Sequence, residues 1–256
     1  ALFRTAWSIA ALAAALLLGA LLTNSDSYER VFLAAAAVLV PIIILFAIKR
    51  LPEGPAPRLI HMRDTVVCIM HNHDLAAVTF GNFLLYLFYV WMPLYTPLYL
   101  HNVLNISWSN LGWMFSIMLV PYVLIAYPAG WIADRFLGDK ELMLTGFLIA
   151  GGATMTLSFL TPATSLVIIL VILVASRIGA ALVETMVEAH FFRRVSKRDI
   201  NSVSVFRSVW PLSYIVGPIV GGIILILSDY STFFLLTGGF IAIAGMLTTL
   251  LIKDFR

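Results

Sequence analysis

Long apolar runs separated by short polar connections set the pattern of this chain, falling at about 5–23, 31–48, 76–100, 109–130, 141–160, 165–191, 203–227 and 231–252. Each has, or nearly has, the roughly 20 residues that cross about 30 Å of hydrocarbon at about 1.5 Å per residue. Strands of a membrane barrel alternate polar and apolar positions over about ten residues. Here Ile168-Ile169-Leu170-Val171-Ile172-Leu173-Val174 is apolar throughout. The pattern therefore predicts an all-α membrane protein with eight transmembrane helices.

Composition narrows the class further. Of 256 residues, 61% are hydrophobic and 11% charged, and the mean hydropathy is +0.99; a water-soluble globule is excluded on these shares. A net charge of +3 and a pI near 9.1 would suit nucleic acid, but the positive residues collect in particular loops, so no nucleic-acid partner is expected. One side holds thirteen of them: Arg4, Lys49, Arg50, Arg58, Arg63, Arg135, Lys140, Arg193, Arg194, Lys197, Arg198, Lys253 and Arg256. The other side holds Arg30 alone, while Arg177 and Arg207 fall inside spans. Positive loops stay cytoplasmic, so both ends are expected there, as an even number of spans requires. The single cysteine, Cys68, gives no internal disulfide and no zinc pattern.

The longest connection, 49–75, carries Pro52, Gly54, Pro55 and Pro57, which break helices and mark a linker. It divides the chain into 1–48, with two spans, and 76–256, with six. After the prolines, Leu59 to Met70 mixes apolar and charged residues in the manner of an amphipathic surface helix. Outer connections are short turns; Asn105-Ile106-Ser107 in one of them matches a glycosylation acceptor. The chain opens on Ala1 without methionine, and its first run is too long for a signal peptide. Earlier helices of the same chain are expected upstream.

Between the fourth and fifth runs stands Gly130-Trp131-Ile132-Ala133-Asp134-Arg135-Phe136-Leu137-Gly138-Asp139-Lys140-Glu141. Gly130 and Gly146 are small enough for close helix approach, Gly138 can supply the positive φ of a sharp turn, and Asp134 suits a helix cap or an arginine partner. This segment resembles the glycine, Ala-Asp-Arg, glycine loop between the second and third helices of each half of the major facilitator superfamily. It departs by one extra residue at Phe136-Leu137 and by Asp139 where a basic residue is usual. Trp91-Met92-Pro93-Leu94-Tyr95, Arg177-Ile178-Gly179 and Gly217-Pro218-Ile219-Val220-Gly221-Gly222 fit the same order, so the resemblance covers 76–252. It implies a twelve-helix protein of two six-helix bundles, with 76–256 as the carboxy-terminal bundle and 1–48 as the last two helices of the amino-terminal one.

Buried charge points to a pathway. Arg177 lies near the middle of its span, and at 100° per residue Glu184 and Glu188 fall on the same narrow stripe. An intramembrane charge costs roughly 2.5–3.5 kcal/mol on insertion scales, so the stripe is expected to face inward. Arg177 then either binds an anionic or polar substrate group or joins a structural ion pair. Glu184 can exchange protons. Glu188, nearer the cytoplasm, is placed to pair with Arg135 or Lys140 as a cytoplasmic gate built with Gly130, Asp134 and Gly138. In the span 76–100, Asn82, Tyr86, Tyr89 and Pro93 share one face, a candidate cavity wall to which Tyr214 adds from 203–227; Tyr95 and Tyr99 suit an interfacial belt. Pro211 and Pro218 offer a hinge, and Arg207 an anchor that snorkels.

His71-Asn72-His73-Asp74 has histidines at i and i+2, which diverge on a helix, so it is expected to be a solvated loop end and not a metal site. With no phosphate-binding loop or hydrolase motif, no cofactor is expected. The function expected is a secondary active transporter that moves a small-molecule substrate coupled to a proton, in an inner or plasma membrane. The competing class is a membrane-bound transferase using His71, His73 and Asp74 at the cytoplasmic surface.

Overall fold

The computed structural model describes residues 29–48, 62–195 and 200–252. The expected span 5–23, residues 49–61 of the proline-rich linker and the Lys197-Arg198 pair lie outside them. Among the described residues the chain is entirely helical, with no strand. The helices are α1 (Glu29–Ile48), α2 (Met62–His71), α3 (His73–Asn102), α4 (Trp108–Met118), α5 (Val120–Leu124), α6 (Ala126–Arg135), α7 (Asp139–Thr156), α8 (Leu166–Arg194), α9 (Ile200–Leu227) and α10 (Tyr230–Leu251), with a 3-10 turn at Leu157–Phe159 after α7.

Five of these elements are long and apolar enough to cross a membrane, namely α3, α7 with its 3-10 turn, α8, α9 and α10, and a bent sixth runs from α4 through α6. Their ends carry local signals. Asn72 caps α3 by accepting from the N–H groups of Asp74 and Leu75, Ser107 caps α4, Ser165 caps α8 and Asp229 caps α10. The Asp229 carboxylate accepts from the Thr232 N–H at 2.8 Å, which holds its pKa below the usual carboxyl range.

The expected straight span 109–130 is instead broken at Leu119 and Ile125, with a bend of 40°. Pro121 and Pro128 explain it, since each lacks an N–H and its ring clashes with the carbonyl four residues earlier. The break leaves a single turn, α5, packed on α8.

α3 is the central post: α2, α4, α8, α9 and α10 all pack against it. Lipid offers no hydrophobic driving force between helices, so close packing must supply the attraction. Glycines supply the closeness. A Cβ at Gly179 would fall 2.4 Å from the Ala150 nitrogen, and one at Gly146 would fall 2.8 Å from the Gly179 carbonyl, so α7 and α8 meet backbone to backbone. Gly151 and Gly238 do the same for α7 and α10, a Cβ on either reaching within 2.7 Å of the other's carbonyl oxygen. At Gly217 and Gly221 the neighbours are Val90 and the Tyr95 ring, while Gly222 faces open space.

Polar groups of α3 then stitch the post to its neighbours. Asn82 donates to the Phe206 carbonyl at 3.3 Å, Trp91 to Gly217 at 2.8 Å and Tyr95 to Pro218 at 3.0 Å, all on α9. Tyr99 donates to the carbonyls of Leu157 at 3.1 Å and Leu160 at 3.2 Å. Tyr95 and Tyr99 are thus buried ties between helices, not the interfacial belt expected of them. Neighbours claimed their hydroxyls before headgroups could.

Replacing Gly179 with Val should lower the thermal unfolding midpoint of the solubilised protein, at an overpacking cost of about 1–3 kcal/mol. Gly152→Ala, where no atom crowds the new Cβ, should leave it unchanged or raise it. Tryptophan fluorescence on heating reads both.

Candidate functional site

Two polar clusters lie within these apolar helices. The first is at mid-span. α8 buries Arg177 to 3% exposure and sets its guanidinium 5.2 Å from the centre of the Phe88 ring on α3. Its Nε has no hydrogen-bond partner among the described residues. Two turns along α8, Glu184 accepts the hydroxyl proton of Tyr89 at 2.8 Å, joining α8 to α3. Tyr89 is in turn ringed by aromatics, edge-on to Tyr86 at 6.0 Å and to Tyr122 at 5.9 Å.

Tyr122 was not among the residues singled out by sequence. It comes from the one-turn segment α5, and its hydroxyl is buried with no well-formed hydrogen bond among the described residues, within reach of Tyr89, Arg177 and Glu184. Its only sequence signal is its place after Pro121, where a polar tip interrupts an apolar run. The broken span aims it at α8.

The structure brings Tyr86, Tyr89, Arg177 and Glu184 together and separates two other expected pathway residues from them. Asn82 is buried and committed to α9. Tyr214 is half exposed on the outer face of α9, where it meets Trp210 edge-on at 5.7 Å.

The second cluster gathers where α3 and α7 begin and α8 ends. Asp74 stands in the first turn of α3 and Asp139 in that of α7, while Arg193 and Arg194 occupy the last turn of α8. Acid at a helix start and base at a helix end both suit the macrodipole. Asp74 Oδ2 lies 2.9 Å from Arg194 Nε, and Asp139 Oδ2 accepts from Arg193 at 2.9 Å. Between them His190, 1% exposed, sets Nε2 3.3 Å from Asp74 and Nδ1 3.6 Å from Asp139. Nε2 is thus the nitrogen within hydrogen-bond distance.

Several expectations change here. Asp74 is no solvated loop end: it is 3% exposed and anchors α8, while His71 and His73 remain at the surface. Among the described residues, no group of three potential ligands could hold a metal ion. Asp139, the departure from the resembling loop, serves as the acceptor for Arg193. Gly138 takes a φ of −123°, not a positive one; its N–H instead donates to Glu141 at 3.2 Å, which settles the turn without left-handed backbone. Gly130 has nothing within 4 Å of a Cβ, so close helix approach falls to Gly146 alone of the pair. Lys140 turns to the carbonyls of Leu250 at 3.3 Å and Ile252 at 3.1 Å. Arg135 lies over the Trp131 ring at 5.4 Å. Glu188 is half-buried on α8, and the Asp134 side chain lies outside the described residues.

A crevice of about 400 Å³ opens far from both clusters, lined by residues between Leu104 and Asn110 and between Thr161 and Ile169. No charged side chain lines it.

Asp74→Asn should destabilise the protein by about 3 kcal/mol, the low end for a broken buried pair because its partner Arg194 reaches water. Arg135→Gln, at an exposed cation–π contact, should cost less than about 1 kcal/mol. Unfolding midpoints of the two variants, measured side by side, check the difference.

Comparison with curated proteins gave no match. The sequence model of the Major Facilitator Superfamily matches residues 78–254, from early in α3 to just past α10. Proteins of this family are membrane transporters that bind small molecules and sit in the bilayer, not enzymes. A family match over more than half of the 256 residues, with five or six candidate spans among the described residues, identifies a multi-pass membrane protein: the chain belongs to the Major Facilitator Superfamily.

Proposed function

We propose that this protein is a proton-coupled secondary transporter that works by alternating access, with Glu184 as the proton carrier. The observation that carries this reading is the Tyr89–Glu184 hydrogen bond, 2.8 Å long and spanning α3 and α8 on the stripe that also holds Arg177. A carboxylate held by a hydroxyl at the junction of two helices changes its hold on its partner when a proton arrives. Protonation thereby alters a contact between elements that must move.

The arrangement that supports such motion is a pair of bundles. In our reading α3 to α10 form the six-helix carboxy-terminal bundle, residues 1–48 supply the first two of the eight spans as the last two helices of the amino-terminal bundle, and 49–75 link the two on the cytoplasmic side. Trp210 and Tyr214 on the exposed face of α9 suit a surface turned toward that other bundle and the path between them. The cluster of Asp74, His190, Asp139, Arg193 and Arg194 fixes the cytoplasmic ends of α3, α7 and α8. The neighbouring loop with Gly130, Asp134, Arg135, Gly138 and Lys140, together with Glu188, forms the cytoplasmic gate. The thirteen-to-one division of loop charge supports both chain ends in the cytoplasm, of a cell with this protein in its inner or plasma membrane.

Glu184→Gln should abolish solute movement driven by an imposed pH gradient in proteoliposomes while leaving exchange of labelled for unlabelled solute intact. Tyr89→Phe, which removes the hydroxyl and keeps the ring, should weaken the gradient-driven rate less. Equal proton-driven rates in wild type and Glu184→Gln would remove Glu184 from the coupling step.

A further inference from the structure

We propose that Arg177 and Tyr122 together form the docking point for the carboxylate of an aromatic monoanion. The inference deepens the transport reading, since a ligand held at this point is the cargo.

Buried polar atoms in folded proteins are nearly always hydrogen-bonded, and those that are not call for an explanation. Here two such atoms lie at the same place. Arg177 Nε and the Tyr122 hydroxyl are both buried and neither makes a well-formed hydrogen bond among the described residues, while the two side chains lie close enough to interact with each other and, for Tyr122, with Tyr89. They arrive from different elements, α8 and the one-turn α5, so neither is the accidental leftover of one helix. Both are donors. A guanidinium matches the two oxygens of a carboxylate as a planar fork, and a phenol hydroxyl adds a third hydrogen bond. Phe88 backs the guanidinium at 5.2 Å, which shields it from water and strengthens whatever anion it meets.

Charge and shape define the class more closely. Glu184 is two turns from Arg177, roughly 10 Å along the helix axis. With Glu184 protonated, the one positive group balances a single negative charge, whereas a dianion such as a phosphate ester would bring an uncompensated charge into the apolar interior. A proton on Glu184 would relieve the remaining repulsion when the monoanion is bound. From Tyr122 a row of aromatic rings leads away, Tyr122 edge-on to Tyr89 at 5.9 Å and Tyr89 edge-on to Tyr86 at 6.0 Å. Such a row favours a flat aromatic body.

The test is equilibrium binding to the full chain in nanodiscs, by calorimetry, using benzoate, phenylacetate and indole-3-acetate against their neutral amides, with phenylphosphonate at pH 8 as the dianion. At least one carboxylate should bind more tightly than its amide and more tightly than the phosphonate. That preference should fall by on the order of tenfold or more in Arg177→Gln and roughly tenfold in Tyr122→Phe, the scale of a lost hydrogen bond to a charged group. Tyr122→Phe keeps the ring and so the fold. The proposal is overturned if no acid exceeds its amide, if the phosphonate binds equally well, or if the preference survives in both variants. Binding needs no flux. A carboxylate that binds as described in a protein that moves nothing under a pH gradient would refute the transport reading and leave this site standing; gradient-driven flux with no carboxylate preference would do the reverse.

Discussion

A guanidinium at the middle of an apolar helix cannot be left facing lipid, and the placement of Arg177 governs much of what surrounds it. Insertion scales put the cost of such a charge at roughly 2.5–3.5 kcal/mol. Sheltering it requires a neighbour on every side. Phe88 from α3 covers one face of the group, and Tyr122 from the broken span stands near it. These neighbours reach it because α8 packs directly on α7, backbone against backbone at Gly146 and Gly179, while α3 and α5 close over its other sides. The small residues and the charged one are thus parts of one arrangement: the first permit an interior tight enough to hold the second.

The same logic repeats where the helices end. Asp74, Asp139 and His190 would each be costly alone among apolar side chains, yet each falls at a helix terminus whose dipole favours it or beside a group of opposite sign. Three helices are fastened at one end by charge, and two of them, α7 and α8, also along their length by glycine contacts. The α3 side chains Asn82, Trp91 and Tyr95 add hydrogen bonds to carbonyls of α9, which have a second lone pair to offer. A bundle tied this way can move as a body, which rocking against a second bundle demands.

Much of this was legible in the chain itself. Apart from the broken span, whose last piece runs on to Arg135, the helices from α3 onward begin and end within about four residues of the apolar runs, because hydrophobic length alone dictates a span. The Arg177 stripe faces inward as its cost requires. What escaped were properties that depend on a neighbour. Asp74 reads as solvated until His190, more than a hundred positions away, is folded against it. Tyr95 and Tyr99 look like headgroup anchors until carbonyls of α9 and of the turn after α7 come within reach. Tyr122 is one aromatic among many until Pro121 and Pro128 break the span and turn it toward α8. Gly138 was read for its freedom, but the Glu141 carboxylate answered its N–H and an ordinary φ sufficed.

The account rests on these mid-span polar groups bordering a watery path and not an anhydrous core. The most direct measurement is labelling with a membrane-impermeant thiol reagent in sealed vesicles, after Cys68→Ser and with a single cysteine at position 86 or at position 243, which lies on the exposed outer face of α10. Tyr86→Cys should react, and do so at a rate that changes when the pH gradient is reversed, while Ile243→Cys stays inert. Equal inertness at both positions would mean that no aqueous path passes the Tyr89–Glu184 contact, and would contradict the account.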